Sequence, residues 1–596
     1  MVGAVRSEEI AAYDLYAGND TWAYRRFGVI CAGEGTYTFC ALAPRAVSMS
    51  LCGDFLKNGF LPMEEIAAGI WACTVISDIP PEGMRYSFLL DGKTVMADPF
   101  ARRGGWGEDG ESVICTQSTH EWGDDMWLWH RMRLGREACI DGKSVPMNVY
   151  EVHLGSFVTR EGRSNVGGDA YLNYRELGEI LARYLREMGY THVKLLPLTE
   201  YRNDASHGYA PNGFFAPTSR HGSPDDLRAM VDRLHRAGLG VWMDLHISTY
   251  GESSTLLDLR RGEIRSFLLS SVLFWLREFH LDGLCLCGLR RWWEEGGEMG
   301  REAEQFLRLL NAAAHAEFPD VCLVAEEDVG EMTPGQGMGF DLLHHGRFAE
   351  DVIGYLHQPP SRRPFEHDRV RLLCLCAADE QYLLAFSHAA VTLGHSSLFG
   401  QMHGSYLQRF AAVRLALAFQ MALPGKKMLF MGCELGQLRT WDDTVPPDWY
   451  LRDLEPHAQL LRYVRALNHF YAGETRLWQC ERLVGDVSPM DGPNRQHGIT
   501  ALERQDAMGR RLLILLNFSE EDAIVCSAVN ASARCYREIF NTDRRDFGGE
   551  GRVASGEWFA WEGGVLSRAL PPMSAVFLEP LPASACENST EKPKYS

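Results

Sequence analysis

The sequence has little positive charge. Its 596 residues carry 59 Lys and Arg against 79 Asp and Glu, a formal net charge of −20. Nucleic-acid backbones and anionic membranes recruit basic surfaces, so this balance argues against both as partners. Long apolar runs are also missing. No stretch reaches the roughly 18 residues needed to span a bilayer, and the opening MVGAVRSEEIAAYDLY has no apolar core of signal-peptide type. These absences give the expectation of a cytoplasmic protein. The 16 cysteines are spread from Cys31 to Cys586 and do not form the dense framework of a small secreted domain; most read as buried thiols. Gly (58) and Pro (26) are too few for a disordered or collagen-like chain. At 46% hydrophobic and 23% charged residues, the composition is that of a folded chain with several domain-sized units.

From about 148 to 473 one unit recurs: an apolar run, a turn, an amphipathic helix. The runs are NVYEVHLGS, THVKLLPLT, GVWMDLHIS, GLCLCGL, VCLVAEED, FDLLHH, QYLLAFSH and KKMLFMGCE. Short apolar runs separated by helices are the pattern of parallel strands buried on both faces. Between them, Leu227, Met230, Val231 and Leu234 share one helical face, and Ser223-Pro224 reads as an N-cap followed by Pro at the first helical position. Eight such units predict an α/β fold built on a (β/α)8 barrel. The flanks alternate with a period of two (TYTFCALAP, RYSFLLDG; RLLILLNFS, SAVFLEP) and predict β-sandwiches on either side. The expected division is an N-terminal sandwich over 1–125, the barrel over 126–473, an all-β domain over 474–580 and a disordered polar tail over 581–596.

The stretches YEVHLGSF, LNYRELGEILARYLREMGYTHVKLLPLTE, GYAPNGFFAPTSRHGSPDDLRAMVDRLHRAGLGV, LFWLREFHLDGL, PGKKMLFMGCELGQ and FNTDRRDFGG follow one another as in the glycogen (1,4-α-glucan) branching enzymes of glycoside hydrolase family thirteen, which the chain resembles nearly end to end. SMSLCGDF and MADPFARR resemble that family's starch-binding-type N-terminal module. The resemblance implies retaining transglycosylation on an α-glucan, cutting an α-1,4 bond and rejoining it as α-1,6. It implies no cofactor and no metal. Such chemistry uses a carboxylate nucleophile and a carboxylic acid roughly 5–5.5 Å apart.

Residue by residue, the family pattern is broken. Strand four, D-G-L-R-V-D in the family, reads Asp282-Gly283-Leu284-Cys285-Leu286-Cys287, so Cys285 replaces the Arg and Cys287 the nucleophile. Strand five keeps Glu326 at the acid/base position. Strand seven keeps His388 but has Ala389 where the family has its hydroxyl-gripping Asp. Asp244 is retained on strand three, whereas Thr249 stands in place of a His; the sugar-stacking Tyr survives as Tyr209. Only 13 residues separate Thr249 from Glu263, where the family carries a longer wall of the cleft.

Several residues have two readings. Cys285 and Cys287 share a strand face and fill a barrel layer, or join Cys374 and Cys376 as four thiolates for zinc. Glu326 is a working acid or a relic, and His388 a sugar ligand or a satisfied buried histidine. Trp292 and Trp293 are adjacent, so at most one is a sugar platform; the other reading is packing. Phe55-Leu56-Lys57-Asn58-Gly59 has no Trp where the module's glucan-stacking residue falls. Two functions follow: a non-catalytic α-glucan-binding or scaffolding homologue, pairing with another enzyme of glycogen metabolism, or an active α-glucan transferase.

Overall fold

The computed structural model describes residues 13–33, 35–77, 81–105, 111–141, 144–162, 164–165, 170–330, 332, 337–376, 381–391, 396–481, 483, 498–524, 535–553, 557–561, 565–566 and 569–582. Residues 583–596, most of the segment expected to be a polar tail, lie outside them.

All eight apolar runs are strands of one closed parallel barrel: β1 Asn148–Val152, β2 His192–Leu195, β3 Gly240–His246, β4 Gly283–Cys287, β5 Cys322–Ala325, β6 Leu342–His344, β7 Tyr382–Phe386 and β8 Lys426–Phe430. The barrel closes through β1 on β8, with Val149 opposite Met428. Around it stand α1 Tyr174–Met188, α2 Pro224–Arg236, α3 Gly262–Phe279, α4 Glu298–Glu317, α5 Phe348–His357, α6 Tyr406–Ala422 and α7 Glu455–Gly473. No helix joins β5 to β6 among the described residues.

The helix starts follow the sequence signals. The Ser223 hydroxyl accepts the Asp226 amide, Asp226 returns the bond in a capping box, and Pro224 opens α2. Leu227, Met230, Val231 and Leu234 are all buried. Two cores result. One lies between strands and helices. The other fills the barrel itself with Val149, Trp242, Cys285, Cys287, Cys322, Val324, Leu342, Leu383, Ala385 and Met428.

Two antiparallel sheets precede the barrel, packed on a core around Phe39, Leu51, Trp71, Tyr86 and Phe88. Phe27, Phe100 and Phe215 stack in series, with centroids 4.8 and 5.2 Å apart, and tie these sheets to the barrel. After the barrel a six-stranded sheet begins at Ile499–Gln505. Buried Arg504 donates from there to the carbonyls of Ala422, Leu477 and Cys480. Cys285, Cys287, Cys322, Cys374 and Cys433 are buried free thiols, and Cys535 is disulfide-bonded.

At the N-terminal floor of the barrel, His235 of α2 lies fully buried between Asp124 and Asp282, its two ring nitrogens each 2.9 Å from a carboxylate. An imidazole that donates from both nitrogens is an imidazolium. Burial opposes that charge, but Asp282 and Asp124 together outweigh it and raise the histidine's pKa. A raised folded-state pKa contributes stability that is complete below the unfolded value, about 6.5, and is lost as pH climbs through the folded one. Denaturant midpoints should therefore fall as pH rises above about 6.5. His235→Gln should flatten that slope and cost about 1–3 kcal/mol, since Asp282 keeps Arg131 and Asp124 keeps His280. A wild-type slope retained in the variant would remove His235 as its source.

Candidate functional site

The C-terminal ends of the strands, where barrel chemistry sits, hold a buried charged cluster. Lys194 of β2 is 2.9 Å from Glu151 of β1 and 2.8 Å from Asp244 of β3, all three essentially without solvent contact. Glu151 also accepts the His388 backbone amide at 2.6 Å and meets its Nδ1 at 3.0 Å. The Tyr209 hydroxyl donates to Asp244 Oδ2 at 2.6 Å, and the Tyr209 ring stacks on His388 with centroids 5.7 Å apart.

Tyr209 reaches the mouth from the loop between Thr199–Tyr201 and Pro211–Pro217. Gly208 turns that loop with φ +88, and a Cβ there would lie 2.6 Å from the Pro197 carbonyl oxygen, so the turn requires glycine.

β4 brings in the two thiols. Asp244 pairs in register with Cys285, and His246 with Cys287. The Asp244, Cys285 and Cys287 donor atoms all lie within 4.8 Å of one another, a spacing that suits a metal ion. Cys287 Sγ is 3.4 Å from the Cys285 carbonyl oxygen, and Glu326 stands just past the end of β5. Tyr209, Asp244, Cys285, Cys287, Glu326 and His388 thus converge. Ala389 follows His388 in a short 3-10 turn and is exposed. Thr249 sits in a two-strand turn with Leu256 and bonds His246 Nε2 at 2.9 Å.

Burial sets the proton positions first. It pushes the Cys287 thiol well up, helped by Cys285, Asp244 and Glu326. For Cys285 a hydrogen bond from Cys287 favours the thiolate, but burial with Asp244 and Glu326 outweighs it and pushes the thiol up to about 11. Both are protonated at neutral pH. Burial raises Asp244 to about 6, with Glu326 and Glu151 adding to the shift and Lys194 opposing it. Glu326 goes the other way: Lys194, His344, Cys287 and His388 outweigh burial and hold its carboxyl below the usual range. Glu326 is therefore ionised at neutral pH.

Other residues fall outside this cluster. Cys374 lies on the helix Asp368–Cys376, in the core outside the barrel and not on a strand, so the four-thiolate grouping does not form. Trp292 is fully buried and donates to the Leu257 carbonyl, which is packing; Trp293 is half-buried. Phe55 stacks on the core residue Phe39.

Sequence reasoning passed over Glu151, Lys194 and His246. The available signal was a charge inside an otherwise apolar strand, as in NVYEV and THVKLL.

The comparisons with known proteins agree with this geometry. Residues 26–101 match carbohydrate-binding module 48 (isoamylase N-terminal domain), and residues 490–580 match the α-amylase C-terminal all-beta domain. Pullulanase type I from Bacillus subtilis superposes with a TM-score of 0.70 at 16% identity over 96% of this chain and 87% of its own. The catalytic module of the pneumococcal glycogen-degrading virulence factor SpuA gives 0.69 at 14% over 97% and 99%. Barrel and flanking modules together define a member of the α-amylase superfamily. The 1,4-α-glucan branching enzyme GlgB of Aquifex aeolicus is 32% identical over 96% of this chain and 99% of its own length, and that of Desulfitobacterium hafniense 33% over 95% and 97%. The chain belongs to the 1,4-α-glucan branching enzyme family.

The energetic centre of the site is the Lys194 ammonium. Lys194→Met should strand Glu151 and Asp244 in the barrel and cost about 3–5 kcal/mol. Adding Glu151→Gln should return part of that loss. Thermal melts of the three proteins read both effects, and a melting temperature unchanged by Lys194→Met would refute the assignment.

Proposed function

We propose that this protein is an α-glucan-binding homologue of the branching enzymes whose transglycosylation is lost or nearly lost, acting in the cytoplasm as a binding or scaffolding component beside another enzyme of glycogen metabolism. One observation carries the reading: the end of β4, where the family pattern has its nucleophile, holds the buried Cys287 thiol, while Lys194, His344 and Cys287 outweigh burial and keep Glu326, at the acid/base position, below the usual carboxyl range. A retaining glycosidase needs the reverse, a protonated acid opposite an ionised nucleophile. The nucleophile's charge ordinarily keeps its partner protonated, because two nearby carboxylates resist ionising together. With a neutral thiol there, both halves of the mechanism fail: nothing attacks the anomeric carbon, and Glu326 has no proton for the leaving oxygen. An oxocarbenium-like transition state also gains no fixed negative charge from a thiol.

Glucan recognition has separate support. Tyr209, His388 and Asp244 still form a ring face and polar groups at the mouth, and the matched carbohydrate-binding module lies outside the barrel. Purified protein should retain mobility retardation in glycogen-containing native gels. It should leave the iodine spectrum of amylose unchanged at concentrations typical of enzymes. A dose-dependent spectral shift that disappears in Glu326→Gln would establish the alternative, an active 1,4-α-glucan branching enzyme.

Restoring both missing carboxylates, with Cys287→Asp and Ala389→Asp, should recover less than about 1% of a competent relative's rate, because active-site groups act as a unit. The strand-four Arg position would still be Cys285. Robust branching by the double variant would show that the remaining groups are still arranged for turnover.

A further inference from the structure

The donor set at the end of β3 and β4 has a chemistry of its own. Asp244, Cys285 and Cys287 are buried, come from paired strands, and present a carboxylate oxygen and two sulfurs within 4.8 Å of one another. Around one tetrahedral zinc, with Zn–S about 2.3 Å and Zn–O about 2.0–2.2 Å, such donors stand roughly 3.5–3.8 Å apart. Small side-chain adjustments close that difference. Three protein ligands leave the fourth tetrahedral position for a water.

The surroundings favour a cation. Glu151, Asp244 and Glu326 bring three carboxylates to the cluster, against Lys194 and the His388 ring. Lys194 lies against Asp244 Oδ1 and would repel a dication, but Glu151 shares its ammonium at 2.9 Å. Tyr209 fixes Asp244 Oδ2 at 2.6 Å, the kind of outer hydrogen bond that orients a metal-bound carboxylate. Each carboxylate oxygen keeps a second lone pair for the metal.

We propose that Asp244, Cys285 and Cys287 form a three-ligand site for a thiophilic divalent cation of the zinc class. Paired sulfur donors select zinc or cadmium over magnesium and calcium, which take all-oxygen shells. On binding, both S–H bonds break, two protons leave to water, and two metal–sulfur bonds form. One dication enters as two protons leave, so the charge of the buried cluster does not change. The site shares Asp244 with the mouth proposed to bind glucan, and a titration without glucan reads it separately.

The test is a titration of the reduced, chelator-stripped full-length chain with cadmium chloride, read by the ultraviolet thiolate-to-cadmium charge-transfer band. The band should saturate at one cadmium per chain, and zinc chloride should displace it while magnesium chloride does not. The chain has 16 cysteines, so the variants decide the location. Cys285→Ala with Cys287→Ala should abolish the saturable band, and the milder Cys287→Ser should weaken binding at least about tenfold, each with an unchanged far-ultraviolet dichroism spectrum. A band that never saturates, or one of equal affinity in folded Cys287→Ser, overturns the proposal.

Discussion

A lysine ammonium buried between two carboxylates holds the mouth of this barrel together. Three adjacent strands contribute one member each: Glu151 from β1, Lys194 from β2, Asp244 from β3. Each alone would be a severe liability inside the barrel, since an isolated buried charge costs several kcal/mol. Together they satisfy one another. The remaining valences are spent on Tyr209, through Asp244, and on His388, through Glu151. The residues expected to touch sugar are thus held by a charged network below them as well as by their own loops.

That network also decides the protonation of the site. Lys194 is the first-ranking favourable charge for both Asp244 and Glu326, yet the two carboxyls shift in opposite directions. Asp244 is fully buried and feels Glu326 and Glu151 as like charges, so it rises. Glu326 stands at the half-open rim with two histidines and a thiol around it, so it falls. In a functioning acid/nucleophile pair the like charge would stand opposite Glu326 and lift it.

How far the sequence reveals this depends on the kind of signal. Strands and helix starts were legible because apolar periodicity and capping residues act locally: all eight runs became barrel strands, and Ser223-Pro224 became the cap of α2. Cys287 and Ala389 were legible only by resemblance, since nothing in GLCLCGL or SHAA taken alone indicates a lost carboxylate. The Glu151–Lys194–Asp244 chain was invisible because it links three strands, 43 and 50 residues apart in sequence, through barrel closure. The choice between the two readings of Cys374 was open for the converse reason, as an i, i+2 spacing says nothing about which element carries it.

The two cysteines on β4 explain how such a site can change without loss of the fold. By the family pattern, positions 285 and 287 would carry an Arg and an Asp, a cation and an anion. Replacing only one would leave an unpaired charge inside a closed barrel, at a cost of about 3–5 kcal/mol, a large share of a domain's stability. Replacing both with thiols removes one charge of each sign and leaves the remaining balance to Lys194. Cysteine is small and accepts full burial, and both side chains join the barrel's inner core with Val149, Trp242 and Val324. The interactions that hold the architecture lie elsewhere, in His235 and its two carboxylates at the barrel floor and in the aromatic series through Phe100. Barrel catalysis is confined to the opposite end. On the proposed reading, paired neutralisation on β4 would alter chemistry at the mouth while leaving the packing of the barrel as it was.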